Sequence, residues 1–164
     1  MNHARADEQH MRRALELALA AQAAGDVPVG AVLVCGEVVV EAYNEKERRP
    51  DATAHAEMLA LQAAAQRLGA WRLSGATLYV TKEPCVMCAG AAIAARISRL
   101  VYGAADPKGG ADGGAFDILR SSRTNHRIDV HGGVLAAEAS AQLARFFRDR
   151  RIEESSAGNG GCSR

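Results

Sequence analysis

Two short segments, His55-Ala56-Glu57 and Pro84-Cys85-Val86-Met87-Cys88, hold the residue types of a divalent-metal site. If they act together the fold must close on itself, because Cys85 lies 28 positions after Glu57. Zinc takes four ligands in tetrahedral geometry, and structural sites fill all four with protein groups. One His and two Cys leave a position for water. A carboxylate two residues from the His is then placed to move that water's protons, a role that contributes about 10²–10⁴-fold to a rate. The set points to hydrolytic chemistry on a small electrophile.

The spacing also predicts local structure. Cys85 and Cys88 are three apart, so on one helical turn their side chains share a face. Pro84 suits the first turn of that helix, whose exposed N–H groups favour thiolate over thiol. Thr53 is the expected cap of a second helix through Glu57, Met58, Leu61 and Ala64, with His55 in its first turn. A structural zinc knuckle, or a reduced C-x-x-C pair beside an unrelated His, is the competing reading. A fourth protein ligand would favour the structural site, and Cys35, Cys162, His3, His10, His126 and His131 lack ligand spacing to the motif.

The remaining chain reads as helix, two strands, helix, strand, helix, strand, an irregular stretch and a final helix. Met11, Leu15, Ala18 and Leu19 mark one face of an opening helix with Asp7 as its expected cap. Val32-Leu33-Val34 and Val38-Val39-Val40 flank Gly36-Glu37, a hairpin signal. Thr77–Thr81 leads into the cysteine segment and Arg99–Tyr102 follows it, so strands alternate with helices in an α/β order. Cys35 is expected to be buried in its strand. Four glycines from Gly109 to Gly114 mark a flexible loop rather than a phosphate-binding fingerprint. At 164 residues one domain is expected, over 1–152, with a disordered tail at 153–164.

Composition excludes some classes. No apolar run reaches the roughly 18 residues of a membrane span, and the N-terminus lacks a signal peptide's apolar stretch. Four cysteines, two of them in the metal motif, make no disulfide framework, and a cytoplasmic setting is expected. The net charge of +1 gives no global field for nucleic acid, but its distribution is uneven. Residues 1–57 carry 6 basic and 10 acidic groups, and residues 58–164 carry 14 and 9. Arg145, Arg148, Arg150 and Arg151 cluster with Phe146 and Phe147 near the C-terminus. Either the arginines meet phosphates and a Phe offers a stacking surface, or the Phe pair closes the core and the arginines are merely solvated. One buried and one exposed Phe is a third arrangement.

His-x-Glu with Pro-Cys-x-x-Cys is the signature of zinc nucleobase deaminases. The resemblance narrows through Val27–Val32, Asp51–Glu57, Glu83–Gly90, Arg96–Ala104, Asp106-Pro107-Lys108, Asn125-His126-Arg127 and Phe146-Phe147-Arg148. Over about residues 10–152 the chain resembles the bacterial tRNA-specific adenosine deaminases. That resemblance implies a three-layer α-β-α sandwich around a mixed five-stranded sheet, the cytidine-deaminase-like fold. It implies conversion of the wobble adenosine of a tRNA anticodon to inosine, in a homodimer with one Zn²⁺ per subunit. By the same resemblance His55, Cys85 and Cys88 are the zinc ligands and Glu57 is the proton shuttle. Asn44 holds the flipped base, Val29 lines the pocket wall, and Ala54 is a further substrate contact. Asp106 and Lys108 belong to the loop that meets flanking nucleotides, while Phe147 and Arg148 lie on the helix that approaches the anticodon stem-loop. Two departures stand out: Lys82 replaces an expected apolar residue and could border the RNA groove, and Glu45–Arg49 is densely charged.

Two other functions fit parts of this pattern. Deamination of a free base or nucleoside, such as guanine or cytosine, uses the same zinc chemistry. A zinc-stabilised RNA-binding protein without catalysis would leave Glu57 with no task.

Overall fold

Three strands buried on both faces decide the layers. In the computed structural model, which describes residues 3–158, the elements run α1 (His3–Ala23), β1 (Gly30–Cys35), β2 (Val38–Tyr43), α2 (Ala56–Leu68) and β3 (Thr77–Lys82). They continue with α3 (Val86–Ala94), β4 (Arg99–Ala104), β5 (Asp129–His131) and α4 (Ala136–Gly158). Ala31 and Leu33 of β1, Leu78 and Val80 of β3, and Leu100 and Tyr102 of β4 pack with Ala60, Leu61 and Ala64 of α2 and Ala89, Ala92 and Ile93 of α3. Their strand neighbours Val32, Tyr79 and Val101 face the other way, onto Met11, Ala14 and Leu17 of α1. Successive side chains of a strand point to opposite faces, so each strand feeds two cores. α4 lies on the α1 side, where Gln142 donates to the Leu15 carbonyl at 2.9 Å.

The sheet order is β2-β1-β3-β4-β5. β1 is antiparallel to both β2 and β3, whereas β3–β4 and β4–β5 are parallel. This is the expected α/β sandwich around a mixed five-stranded sheet. The β1–β2 hairpin pairs Cys35 with Val38 across Gly36-Glu37, with Gly36 at φ 59° as a two-residue turn requires. Gly30 permits the close seating of α1: a Cβ there would lie 2.0 Å from the Ala14 carbonyl oxygen. Because β1 opposes β3, the start of β1, the end of β2 and the end of β3 all meet at one edge. Gly30 pairs with Tyr43, and Ala31 with Val80.

Several local expectations change. β5 forms inside the stretch read as irregular, since three residues are too few to show a period of two. α1 starts at His3, so Asp7 is not its cap but a buried residue inside it. α4 runs to Gly158, so residues 153–158 of the tail expected to be disordered are helical; the rest of that tail, Cys162 included, lies outside the described residues. Cys35 ends β1 half-buried rather than buried.

Asp7 instead ties α1 to the sheet. Its carboxylate receives Arg99 Nη1 at 2.6 Å and Nη2 at 2.8 Å, and the Tyr79 hydroxyl at 3.2 Å. The Arg99 hydrogen bonds hold the Asp7 carboxyl below its ordinary value of 3.8, against the opposing effect of burial. A depressed folded-state pKa gives stability that is complete above the unfolded value and is lost as pH falls through the folded one. Asp7→Asn should therefore cost about 2 kcal/mol at pH 7 in urea unfolding. Its deficit against the unaltered protein should shrink as pH drops below 3.8.

Candidate active site at the edge of the sheet

Both halves of the split motif fall where strands end and helices begin. His55 is the N-cap residue of α2 and Cys85 that of α3, each with extended backbone and no side-chain cap of its own. These positions are one step outside the first turns expected for them. Thr53 does not cap α2; it donates both its backbone N–H and its hydroxyl to Asp51 Oδ1, at 2.8 and 2.7 Å. The acceptor for the Ala56 N–H is Asn44 Oδ1 at 2.9 Å, from the end of β2. That distant side chain satisfies one of the N–H groups orphaned at the helix start. Glu57 then sits in the first turn, 4 % exposed.

The metal-ligand atoms converge. His55 Nδ1 is 3.5 Å from Cys88 Sγ and 3.7 Å from Cys85 Sγ, and the three atoms lie within 4.8 Å of one another. Tetrahedral zinc with Zn–S of about 2.3 Å and Zn–N of about 2.05 Å needs an N···S separation of about 3.6 Å. The side chains meet that requirement, and among the described residues no fourth His, Cys, Asp or Glu joins them. Two soft thiolates and an imidazole form a donor set suited to zinc.

The same geometry divides the protons. A hydrogen bond from Cys88 and the nearby His55 pull the Cys85 thiol down to about 3, against its burial. Cys88 is pushed up by that bond and by burial, and His55 is raised by its bond with Cys85. Desolvation raises the Glu57 carboxyl above its ordinary value. Glu57 Oε2 is buried with no hydrogen-bond partner among the described residues. A carboxyl held dry and raised exchanges protons more readily near neutrality than an exposed one.

A groove of about 180 Å³ opens over these groups, lined by His55, Glu57, Cys85, Asn44, Val29 and Phe147, with Val27, Lys46, Lys82 and Glu83. Cys88 lies beneath it, 1 % exposed. Of the other expected substrate residues, Ala54 is buried and contributes its carbonyl to the Glu45 N–H at 3.0 Å. Asp106 stands beside the groove, ion-paired with Lys82. Lys108 and Arg148 are outside the lining, and among the described residues the acidic group nearest Arg148 is Asp149, at 4.0 Å. The two Phe residues split: Phe146 is buried and Phe147 is 42 % exposed at the groove.

Val27, Lys46 and Glu83 also line the groove, although they were expected only as parts of the Val27–Val32, Glu45–Arg49 and Glu83–Gly90 segments and not as site residues. Lys82, expected at the border of a groove, lies in its lining. The available signal was position: Lys82 and Glu83 directly precede Pro84-Cys85, so they had to border whatever Cys85 holds. Lys46 is near the groove because Asp26, 1 % exposed, ties its loop by accepting the Val27 and Glu47 N–H groups at 2.7 and 3.0 Å.

The MafB19-like deaminase family model matches residues 5–151. The tRNA-specific adenosine deaminase of Bacillus subtilis is 47% identical over 152 residues, covering 92% of this chain and 94% of that protein. That of Haemophilus influenzae is 49% identical over 150 residues, covering 90% and 87%. The chain belongs to the tRNA-specific adenosine deaminase family. A structure from a study of A-to-I editing by tRNA:A34 deaminases superposes with a TM-score of 0.78 at 42% identity, over 82% of this chain and 99% of that one. The guanine deaminase of Nitrosomonas europaea superposes with a TM-score of 0.73 at 27% identity, over 85% and 83%.

Metal uptake tests the triad directly. Titration with cobalt(II) should show one thiolate-bound ion per chain, with protons released as the ligands deprotonate. Cys88→Ala should abolish stoichiometric uptake in the same spectroscopic titration.

Proposed function

We infer that this chain converts the wobble adenosine of a tRNA anticodon loop to inosine by hydrolytic deamination, with residues 1–152 acting as one zinc deaminase domain. The observation that carries the chemistry is the dry Glu57 carboxyl at the floor of the groove, beside a three-donor metal site. The near-full-length relatives supply the substrate class, and their 47–49% identity outweighs the 27% of the guanine deaminase.

His55, Cys85 and Cys88 hold Zn²⁺ in this reading. When bound, that ion supplies Lewis acidity that brings the pKa of water from 15.7 toward about 7. Glu57 takes a proton from the attacking water and delivers it to N1 of the purine as the oxygen adds to C6. The carboxylate, freed of that proton, takes the remaining one from the hydroxyl on C6 and passes it to the exocyclic amine, so that the C6–N bond breaks, the C6 carbonyl forms and ammonia leaves. Asn44 has its side-chain oxygen committed to α2, so its amide N–H groups are what it offers the base. Val29 forms a wall of the pocket and Phe147 covers its rim, which keeps bulk water from the ring. Ala54 fixes the backbone next to His55.

The flanking nucleotides pass over Lys46, Lys82 and the Asp106–Lys108 loop, with Arg148 further along α4. An anticodon loop presents an unpaired base, so extruding it costs less than opening a duplex. Among the described residues no helix is long and apolar enough to cross a membrane. The cytoplasm, where tRNA is met, is the setting assigned here.

A homodimer completes the reading. An apolar groove between α2 and α3 is lined by Met58, Leu61, Trp71, Leu73, Ala91 and Ala94, with Trp71 61 % exposed. Exposed apolar patches of this kind mark association surfaces. Ala94→Glu should turn the dimer into monomer in sedimentation velocity; a dimer that persists would exclude this face.

Glu57→Ala is the test of the chemistry. Zinc content and thermal unfolding should match the unaltered protein, while inosine formed at the wobble position of a minimal anticodon stem-loop falls by at least about 100-fold. Unchanged turnover would remove Glu57 as the shuttle. Turnover of free guanine or cytosine, without any of the stem-loop, would replace the tRNA reading with the free-base one.

A further inference from the structure

Glu83 is a buried carboxylate that the chemistry does not use. It is 3 % exposed, and no cation pairs with it among the described residues. Its oxygens instead accept three backbone N–H groups from one loop: Asp106 at 2.7 Å on Oε2, and Asp112 at 2.9 Å and Gly114 at 3.2 Å on Oε1. The loop wraps so tightly that a Cβ on Gly110 would lie 2.2 Å from the Glu83 carboxyl carbon. Gly110 has no positive φ, so contact with the carboxylate is what requires glycine there.

The residues around Glu83 grip the same loop. Lys82 pairs with the Asp106 side chain, and the Pro84 carbonyl accepts the Ala111 N–H at 2.9 Å. Cys85 forms a β-bridge with Gly110. From behind, Asp112 receives the Tyr102 hydroxyl at 3.0 Å and the Arg120 guanidinium at 2.8 and 3.0 Å. Four consecutive residues, Lys82 to Cys85, thus template a loop 23 to 31 residues further along, and the last of them is a metal-ligand candidate.

We propose that Glu83 is a positioning residue for RNA: its carboxylate acts as an internal anion that folds the 106–114 loop into the shape that receives the nucleotides flanking the target base. The proposal rests on reading that loop as an RNA contact. Free backbone N–H groups would otherwise be satisfied by water in many loop conformations, and ordering them at the moment of binding would cost affinity. Glu83 sets the order in advance. It also fixes the loop relative to Cys85, so flanking nucleotides and reacting base are held to one frame.

Glu83→Gln tests this with little change in shape. The amide oxygen keeps the Asp112 and Gly114 N–H groups, while its NH₂ meets the Asp106 N–H, donor against donor. Expected for E83Q are full zinc content, a KM for the anticodon stem-loop raised about tenfold, and kcat within about twofold, the loss of one charge-assisted hydrogen bond read through binding. Hydrogen exchange should rise at Asp106 and its loop neighbours and stay unchanged in β3 and β4. Gly110→Ala, which displaces the carboxylate from the loop side, should give the same KM–kcat split and carries the test if E83Q does not fold. Faster loop exchange with KM unchanged would overturn the proposal, as would unchanged exchange, or a fall in kcat that tracks zinc loss. Failure of the RNA reading is separate: the unaltered protein would then not deaminate the stem-loop, whatever the loop amides of E83Q do.

Discussion

Everything in the site hangs on two helices that start within ligand distance of each other. His55 opens α2 and Cys85 opens α3, and their side chains meet at 3.7 Å with Cys88 beneath. Helix starts carry unsatisfied N–H groups and partial positive charge, which favours thiolate. The sheet is what brings them together. β1 runs against β3, so the start of β1 and the ends of β2 and β3 share one edge, and each contributes groove residues there: Val29, Asn44 and Lys82. Ligands bind at such strand ends in α/β sheets.

Carboxylates without catalytic tasks shape the rim. Asp26 holds the loop carrying Lys46, and Glu83 holds the loop carrying Asp106 and Lys108, each by accepting backbone N–H groups. Glu45 is clasped by Arg48 at 3.0 Å and by Arg49 at 2.5 Å. That pairing accounts for the dense charge of residues 45–49: it is internal to the loop and contributes no cation to the groove lining except Lys46. Loops placed by buried anions are pre-ordered, so little ordering remains to be done when they are contacted.

The sequence reading worked where chemistry is local in the chain. His-x-Glu and Pro-Cys-x-x-Cys name three side chains able to hold a metal, and a carboxylate beside them, without any three-dimensional knowledge. Short apolar runs at Val32–Val34, Leu78–Val80 and Leu100–Tyr102 marked the strands, and they are unbroken because both faces are covered. The caps expected for α1 and α2 both proved to have other roles. Thr53 and Asp7 satisfy local rules for caps, but tertiary partners took those tasks: Asn44 bonds the start of α2, and Asp7 is drawn inward by Arg99 across 92 positions.

What the chain alone determined is therefore the inventory of donors and the order of strands and helices, since both are written in short-range spacing. Tertiary structure alone decided which side chains line the groove. Phe147 faces it while Phe146 packs inward, Lys108 and Arg148 stay outside, and Glu83 organises a loop more than 20 residues away. The physical reason is that direction and burial are set by packing against remote elements. No local pattern of residues encodes a hydrogen bond whose two ends meet only after the sheet has closed.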